Sequence, residues 1–338
     1  MFPPLRLWFG RRHPRITQKL SSLAGDHLRN GAWNAHDDTK QTIKDFLSSI
    51  DFRPRGFAPS NPALRHTVAN EIASWNVNLG STSKEKLFTE SCSFAEKCFG
   101  HVGAEHQLYI AVYNAYMLYA DDHCAGHPKS LLEFPQRIVN GDEQLDPIFD
   151  RYGTHIKKAY ELWPSFGANI IVSSTMNFMT GTYIENTTKA MRISPSAIQY
   201  PDYHRELAGI ASAYSVFNFP NSWRTSVDSY VQILPELNRF FNGGNDILSF
   251  YKESLSGETN NYIHLRATAE RKTSVTVLRD LSCEIIDTVH RIKALVRGDR
   301  ELEAVCEKYI NGLVQYHMEA PRYRLNELGF PASFEHLS

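Results

Sequence analysis

From about residue 67 onward, apolar residues recur at three- and four-residue steps over windows too long for strands. The clearest are "AEHQLYIAVYNAYMLYADD", "GANIIVSSTMNFMTGTYIENTTKAM", "PDYHRELAGIASAYSVFNF", "SVDSYVQILPELNRFFNGGNDILSFYKESL", "KTSVTVLRDLSCEIIDTVHRIKALV" and "ELEAVCEKYINGLVQYHMEAPRYRLNEL". No run alternates cleanly in the manner of a strand, and no 20- to 50-residue repeat occurs. The pattern predicts an all-α fold with many helices in one domain. Several helices are apolar on nearly every side, as expected of helices enclosed by others in a large bundle. Residues 1–60 differ: rich in Pro, Arg, Asn and Gly, with "FRPRGFAPSNP" near their end, they lack a sustained period. They read as an N-terminal arm, partly irregular, ahead of a helical domain over 61–338. Within "TMNFMTGTY", Gly181 has two readings, a helix break beside a ligand or a point of close helix packing.

Composition narrows the function classes. A 338-residue chain that is 42% hydrophobic and 22% charged can bury a large core. Its formal net charge of -1 leaves no basic excess for nucleic acid or an anionic membrane surface, so an anionic ligand must be met by a local cluster. Cys92, Cys98, Cys124, Cys283 and Cys306 are scattered and form no CxxC pair, which favours a reducing compartment. Neither a signal-peptide core nor a membrane-length apolar span is present, so a cytoplasmic location without stable membrane insertion is expected.

Two stretches carry candidate chemistry. In "NDILSFYKE", Asn245, Ser249 and Glu253 stand four residues apart, so on a helix their side chains form one oxygen-bearing row. An amide, a hydroxyl and a carboxylate are hard ligands of the kind magnesium takes, its other positions being filled by water and phosphate oxygens. In "YADDHCAGH", Asp121 and Asp122 end an apolar helix and could face that row across a pocket. Helical steps back from Asp121 reach Met117, Asn114, Tyr113 and Ile110, a mainly apolar wall. A zinc site from His123, Cys124 and His127 is the competing reading. Gly126 and Pro128 end the helix there, and the sequence places no fourth ligand.

These residues resemble the class I terpene synthases, most closely the fungal trichodiene synthase family of sesquiterpene cyclases. The likeness rests on "YADDHCAG", "YPDYHRELAG", "NDILSFYKE" and "PRYRLNEL", and spans roughly residues 100–330. It implies a helical bundle around a central apolar cavity. Asp121, Asn245, Ser249 and Glu253 would bind three magnesium ions; Arg205, Lys252, Arg322 and Tyr323 would grip a diphosphate. Their chemistry agrees: Arg offers a planar fork to phosphate oxygens, Lys a point charge and Tyr a hydroxyl. Asp122 would support Arg322 from behind on closure, or is a helix-end acid. The family's first motif usually has a third acid where this chain has Ala125.

The resemblance further implies a linear prenyl diphosphate substrate, farnesyl diphosphate foremost, and a homodimer. Loss of diphosphate would leave an allylic cation to cyclise in a dry cavity. Tyr113, Phe178 and Phe241 are candidates to stabilise it, and each is equally an ordinary core aromatic. A chain-elongation enzyme, which typically carries two aspartate-rich motifs, and an inactive isoprenoid-binding helical protein are the rival readings.

Overall fold

The computed structural model describes residues 36–331 other than 55–59, 78, 124, 125 and 225. Among the described residues the structure is helical, with no strand. In order come α1 (36–49), α2 (Pro62–Ala73), α3 (Ser81–Cys98), α4 (Ala104–His123), α5 (Pro128–Asn140), α6 (Pro147–Lys157) and α7 (Ala159–Leu162). They are followed by α8 (Ser165–Thr187), α9 (Tyr200–Ala208), α10 (Ala211–Val216), α11 (Leu234–Ser256), α12 (Tyr262–Glu270), α13 (Ser274–Leu295) and α14 (Arg300–Glu319). Side-chain oxygens of Asn61, Asp146, Asn261, Thr273 and Asp299 accept from backbone N–H groups at the starts of α2, α6, α12, α13 and α14. Each such cap satisfies a donor that the helix itself leaves unpaired.

The apolar-all-round pattern has the expected consequence in α4. Every residue from Tyr109 to Tyr116 is buried, so this helix has no solvent face along that stretch. It lies against α2, α3, α6 and α8, while α11 packs on α10, α13 and α14. Within the segment expected as an arm, residues 1–35 and 55–59 lie outside the described residues. Residues 36–49 form α1, and Ile43, Phe46 and the following Ile50 are buried in the common core. No helix among the described residues is long and apolar enough to cross a membrane.

Gly181 does not break a helix: α8 runs without interruption from Ser165 to Thr187. A Cβ at Gly181 would come within 2.6 Å of the Ala208 backbone nitrogen, so the glycine admits α9 to close contact. The break beside the cavity falls instead between α9 and α10, where Ile210 takes a left-handed φ of 52°. A β-branched residue is strained there. At the other end of the chain, α14 stops at Glu319 and Ala320 is extended. A 3-10 turn over Pro321–Tyr323 then carries the Arg-Tyr pair back towards α11.

Candidate functional site

A cavity of ≈ 230 Å³ draws its walls from α4, α8, α9, α11 and the C-terminal turn. Asn245, Lys252 and Glu253 line it from α11, Asp121 from the end of α4 and Arg205 from α9. Arg322 and Tyr323 reach it from the turn after α14. Four segments distant in sequence thus bring seven of the eight expected metal and diphosphate residues to one cavity. The eighth, Ser249, sits between Asn245 and Glu253 along α11, 1% exposed and outside the lining. Its Oγ has no hydrogen-bond partner in the protein.

The polar end is densely connected. Arg205 donates to Asp246 at 3.0 Å, to the Asn242 carbonyl at 3.2 Å and to Asn245 Oδ1 at 3.1 Å. The other end of that amide donates from Nδ2 to His317 Nε2 at 3.0 Å. Lys252 Nζ lies 3.4 Å from Glu253 Oε1 and 5.9 Å from the Tyr323 ring centroid, with the Arg322 guanidinium 5.6 Å from the same ring. Two cations therefore lie near one aromatic ring beside the acids, and a pair of cations is suited to an anion.

The cations here offset the acids only in part. Asp121 is exposed at the cavity. Partial loss of hydration there, with Asp122 beside it, raises its carboxyl, while Arg322 and Lys252 pull it down. Burial pushes Glu185 up to about 7, with Asp121, Glu253 and Glu258 adding repulsion against the pull of Arg205. Asp246 is pushed up to about 6 by burial in spite of Arg205. Carboxylates that raise one another's affinity for protons equally favour a divalent cation. The donor set agrees: hard oxygens from Asp121, Asn245 and Glu253, and one buried, unpaired hydroxyl at Ser249. Among the described residues, no three His, Cys, Asp or Glu side chains converge as a metal-binding group by themselves.

Beyond the polar end the lining turns apolar, with Phe94, Met117, Leu118, Phe178 and Phe241. Asn114 also lines the cavity, its Oδ1 accepting from the Tyr214 hydroxyl at 2.6 Å. Tyr113 does not. It lies eight residues before Asp121, about 80° round the helix from it, and its hydroxyl pairs with Thr175 on α8 at 2.8 Å. Its ring is core, fully buried. Asp122 is engaged by Lys86 of α3 at 3.0 Å, and no hydrogen bond joins it to Arg322. Cys124, Ala125 and the His123 side chain lie outside the described residues, and His127 is exposed.

Several lining residues carry no signal in a single sequence. Glu185 and Glu258 are separate acids with no motif spacing, and Tyr214 and Phe94 are two aromatics among many. His317 lies five residues before Arg322, but nothing in the sequence ties it to Asn245. Asp246 was in view inside "NDILSFYKE" with no role attached; the structure makes it the buried anchor of Arg205.

The chain is similar to known terpene synthases over most of its length. The chain is 30% identical to a longiborneol synthase from Gibberella zeae over 291 residues, covering 84% of this chain and 86% of that protein. It is 27% identical to an alpha-cuprenene synthase from Coprinopsis cinerea, covering 91% and 93% of the two chains. Among solved structures, linalool/nerolidol synthase from Streptomyces clavuligerus, in complex with 2-fluorogeranyl diphosphate, superposes with a TM-score of 0.56. That match has 14% identity, covers 83% of this chain and 98% of the other, and shows a shared class I helical fold. The profile described as trichodiene synthase (TRI5) matches residues 85–331, and the chain belongs to that family as a terpene cyclase.

Proposed function

We propose that this chain is a sesquiterpene synthase that ionises farnesyl diphosphate in a magnesium-dependent step, cyclises the resulting cation and releases diphosphate. The observation that carries the reading is the convergence of Arg205, Lys252, Arg322 and Tyr323 with Asp121, Asn245 and Glu253 at one end of a cavity walled elsewhere by Phe94, Phe178 and Phe241. Asp121, Asn245, Ser249 and Glu253 are the residues that would hold magnesium, three ions by analogy with the family. When bound, magnesium supplies positive charge opposite the negative charge that grows on the departing diphosphate.

The protein's own groups account for the rest. Breaking the bond between the first carbon and its oxygen puts the electron pair on diphosphate, whose oxygens Arg205, Lys252, Arg322 and Tyr323 would receive; all four line the cavity. The allylic cation left behind passes along a lining that includes Phe94, Phe178 and Phe241, and an aromatic ring that turns its face to a cation is worth roughly 0.5 to 2 kcal/mol. The low polarity of that wall keeps water from the cation before its own double bonds reach it. The relatives' names carry different products, longiborneol and alpha-cuprenene, so no product is transferred to this chain. The reading includes a cytoplasmic location and a homodimer, the latter checked by light scattering.

Incubation with farnesyl diphosphate and magnesium, followed by gas chromatography with mass spectrometry, tests the proposal. A cyclic hydrocarbon or alcohol with magnesium-dependent diphosphate release is expected. Turnover only of geranyl diphosphate overturns the chain length. A requirement for isopentenyl diphosphate overturns cyclisation, and absence of diphosphate release overturns catalysis. The variant Asn245→Ala with Ser249→Ala is expected to fold and to form no product; retained cyclisation sinks the metal assignment.

A further inference from the structure

His317 is a buried histidine, 1% exposed, on the inner face of α14. Its Nδ1–H donates to the Leu313 carbonyl one turn back, at 2.7 Å. That bond fixes the tautomer and leaves Nε2 as an acceptor, which takes the Asn245 Nδ2 donor at 3.0 Å. At the far end of the amide, Arg205 donates to Oδ1. Only one orientation of the amide satisfies both neighbours. Turned over, it would set NH₂ against the guanidinium N–H and its oxygen against the imidazole lone pair.

We infer that His317 is a positioning residue, which holds the Asn245 amide so that Oδ1 is the atom presented to a divalent cation. The inference rests on the reading of Asn245 as a magnesium ligand, and it adds a residue that no spacing rule brought into view. A hydrogen bond from behind a metal ligand sets its orientation and costs little once the backbone carbonyl has set the imidazole. The chain supplies that second bond locally, within α14, so the acceptor is in place before any cation arrives.

Three variants separate orientation from packing. In His317→Gln the side chain reaches the position of Nε2 and keeps an acceptor there; in His317→Asn it ends near Nδ1; in His317→Leu neither bond survives. Magnesium is titrated in the presence of inorganic pyrophosphate by thermal shift and calorimetry, with no turnover involved, and KM and kcat for farnesyl diphosphate are measured alongside. The half-saturating magnesium concentration is expected to rise by about tenfold or more in His317→Asn and His317→Leu, and to stay within about threefold in His317→Gln. Turnover in the weak binders should recover at high magnesium. The inference is overturned if His317→Asn titrates like the parent, or if His317→Gln binds as poorly as His317→Leu. Should His317→Leu fail to fold, the Asn and Gln variants decide alone. A parent that does not respond to magnesium and pyrophosphate overturns the magnesium reading and this inference with it; a responsive parent with an equally responsive His317→Asn overturns this inference only.

Discussion

Arg205 donates to the same Asn245 oxygen, Oδ1 at 3.1 Å, that the proposed function assigns to a metal ion. Under that proposal, Arg205 and the metal ion would compete for one acceptor in the absence of substrate, and act together once a diphosphate drew the guanidinium away. Arg205→Gln alone would leave Asp246 buried without its ion pair, at a cost of roughly 3–5 kcal/mol. The informative variant is therefore Arg205→Gln with Asp246→Asn. Calorimetry without diphosphate is expected to give magnesium affinity equal to or above the parent's, while diphosphate release slows by about 10²–10³-fold. Weaker magnesium binding in that variant would show that Arg205 supports the ligand row and does not compete with it.

Ser249 offers a test that separates stability from binding. Its Oγ is buried and unpaired, so the folded protein without ligands gains nothing from the hydroxyl. An unsatisfied buried polar group costs roughly 1–3 kcal/mol, so Ser249→Ala is expected to melt at or above the parent's temperature without magnesium. The added stabilisation by magnesium and pyrophosphate should shrink. A variant that melts well below the parent without ligands, and keeps the full ligand-induced rise, would falsify the ligand role of Ser249.

Gly181→Ala probes the contact that positions Arg205. The new Cβ would sit 2.6 Å from the Ala208 nitrogen and 2.7 Å from the Leu207 carbonyl carbon, and both are backbone atoms that cannot swing aside. Relief requires α9 to shift from α8, carrying Arg205 three residues upstream of Ala208. Overpacking of this kind costs about 1–3 kcal/mol, so a lower melting temperature and reduced turnover are expected together. Parent-like values of both would show that the helices separate freely at this point.

The sequence made some of these relationships visible and hid others for physical reasons. Asn245, Ser249 and Glu253 were legible because four-residue spacing on one helix is a local property. The helical class was legible too, since α4, α8 and α11 are long enough for their period to be unambiguous. Tyr113 falls off the cavity face because an eight-residue step drifts about 80° round a helix, which turns it towards Thr175. Gly181 was ambiguous because a glycine that opens a helix and one that admits a neighbour look alike in a sequence. The break at Ile210 was hidden because local preference argues against a β-branched residue in that conformation. His317 and Glu185 were unreadable for another reason: their partners come from other helices, and only packing decides which side chains meet.

Buried histidines make stability depend on acid, and His155 lies on an element away from the ligand row. His155 on α6 is buried, donates from Nε2–H to the Tyr109 carbonyl at 3.0 Å and stacks on the Tyr109 ring at 4.2 Å. Burial lowers its pKa to about 4 against an ordinary 6.5; Lys158 pushes the same way, and the Tyr109 carbonyl and Glu71 oppose. Below 6.5 the unfolded chain therefore binds a proton that the folded chain refuses, so stability falls as pH drops from 6.5 and levels off below about 4. His155 alone should remove ~2 kcal/mol by about pH 5. His101, lowered to about 4 mainly by burial, adds a loss of the same sign. Denaturant melts of His155→Gln, whose amide can still donate to the Tyr109 carbonyl, are expected to show a shallower decline over this range, by the His155 share only. An unchanged slope would place the acid sensitivity elsewhere and show that the imidazole takes up its proton in the folded state.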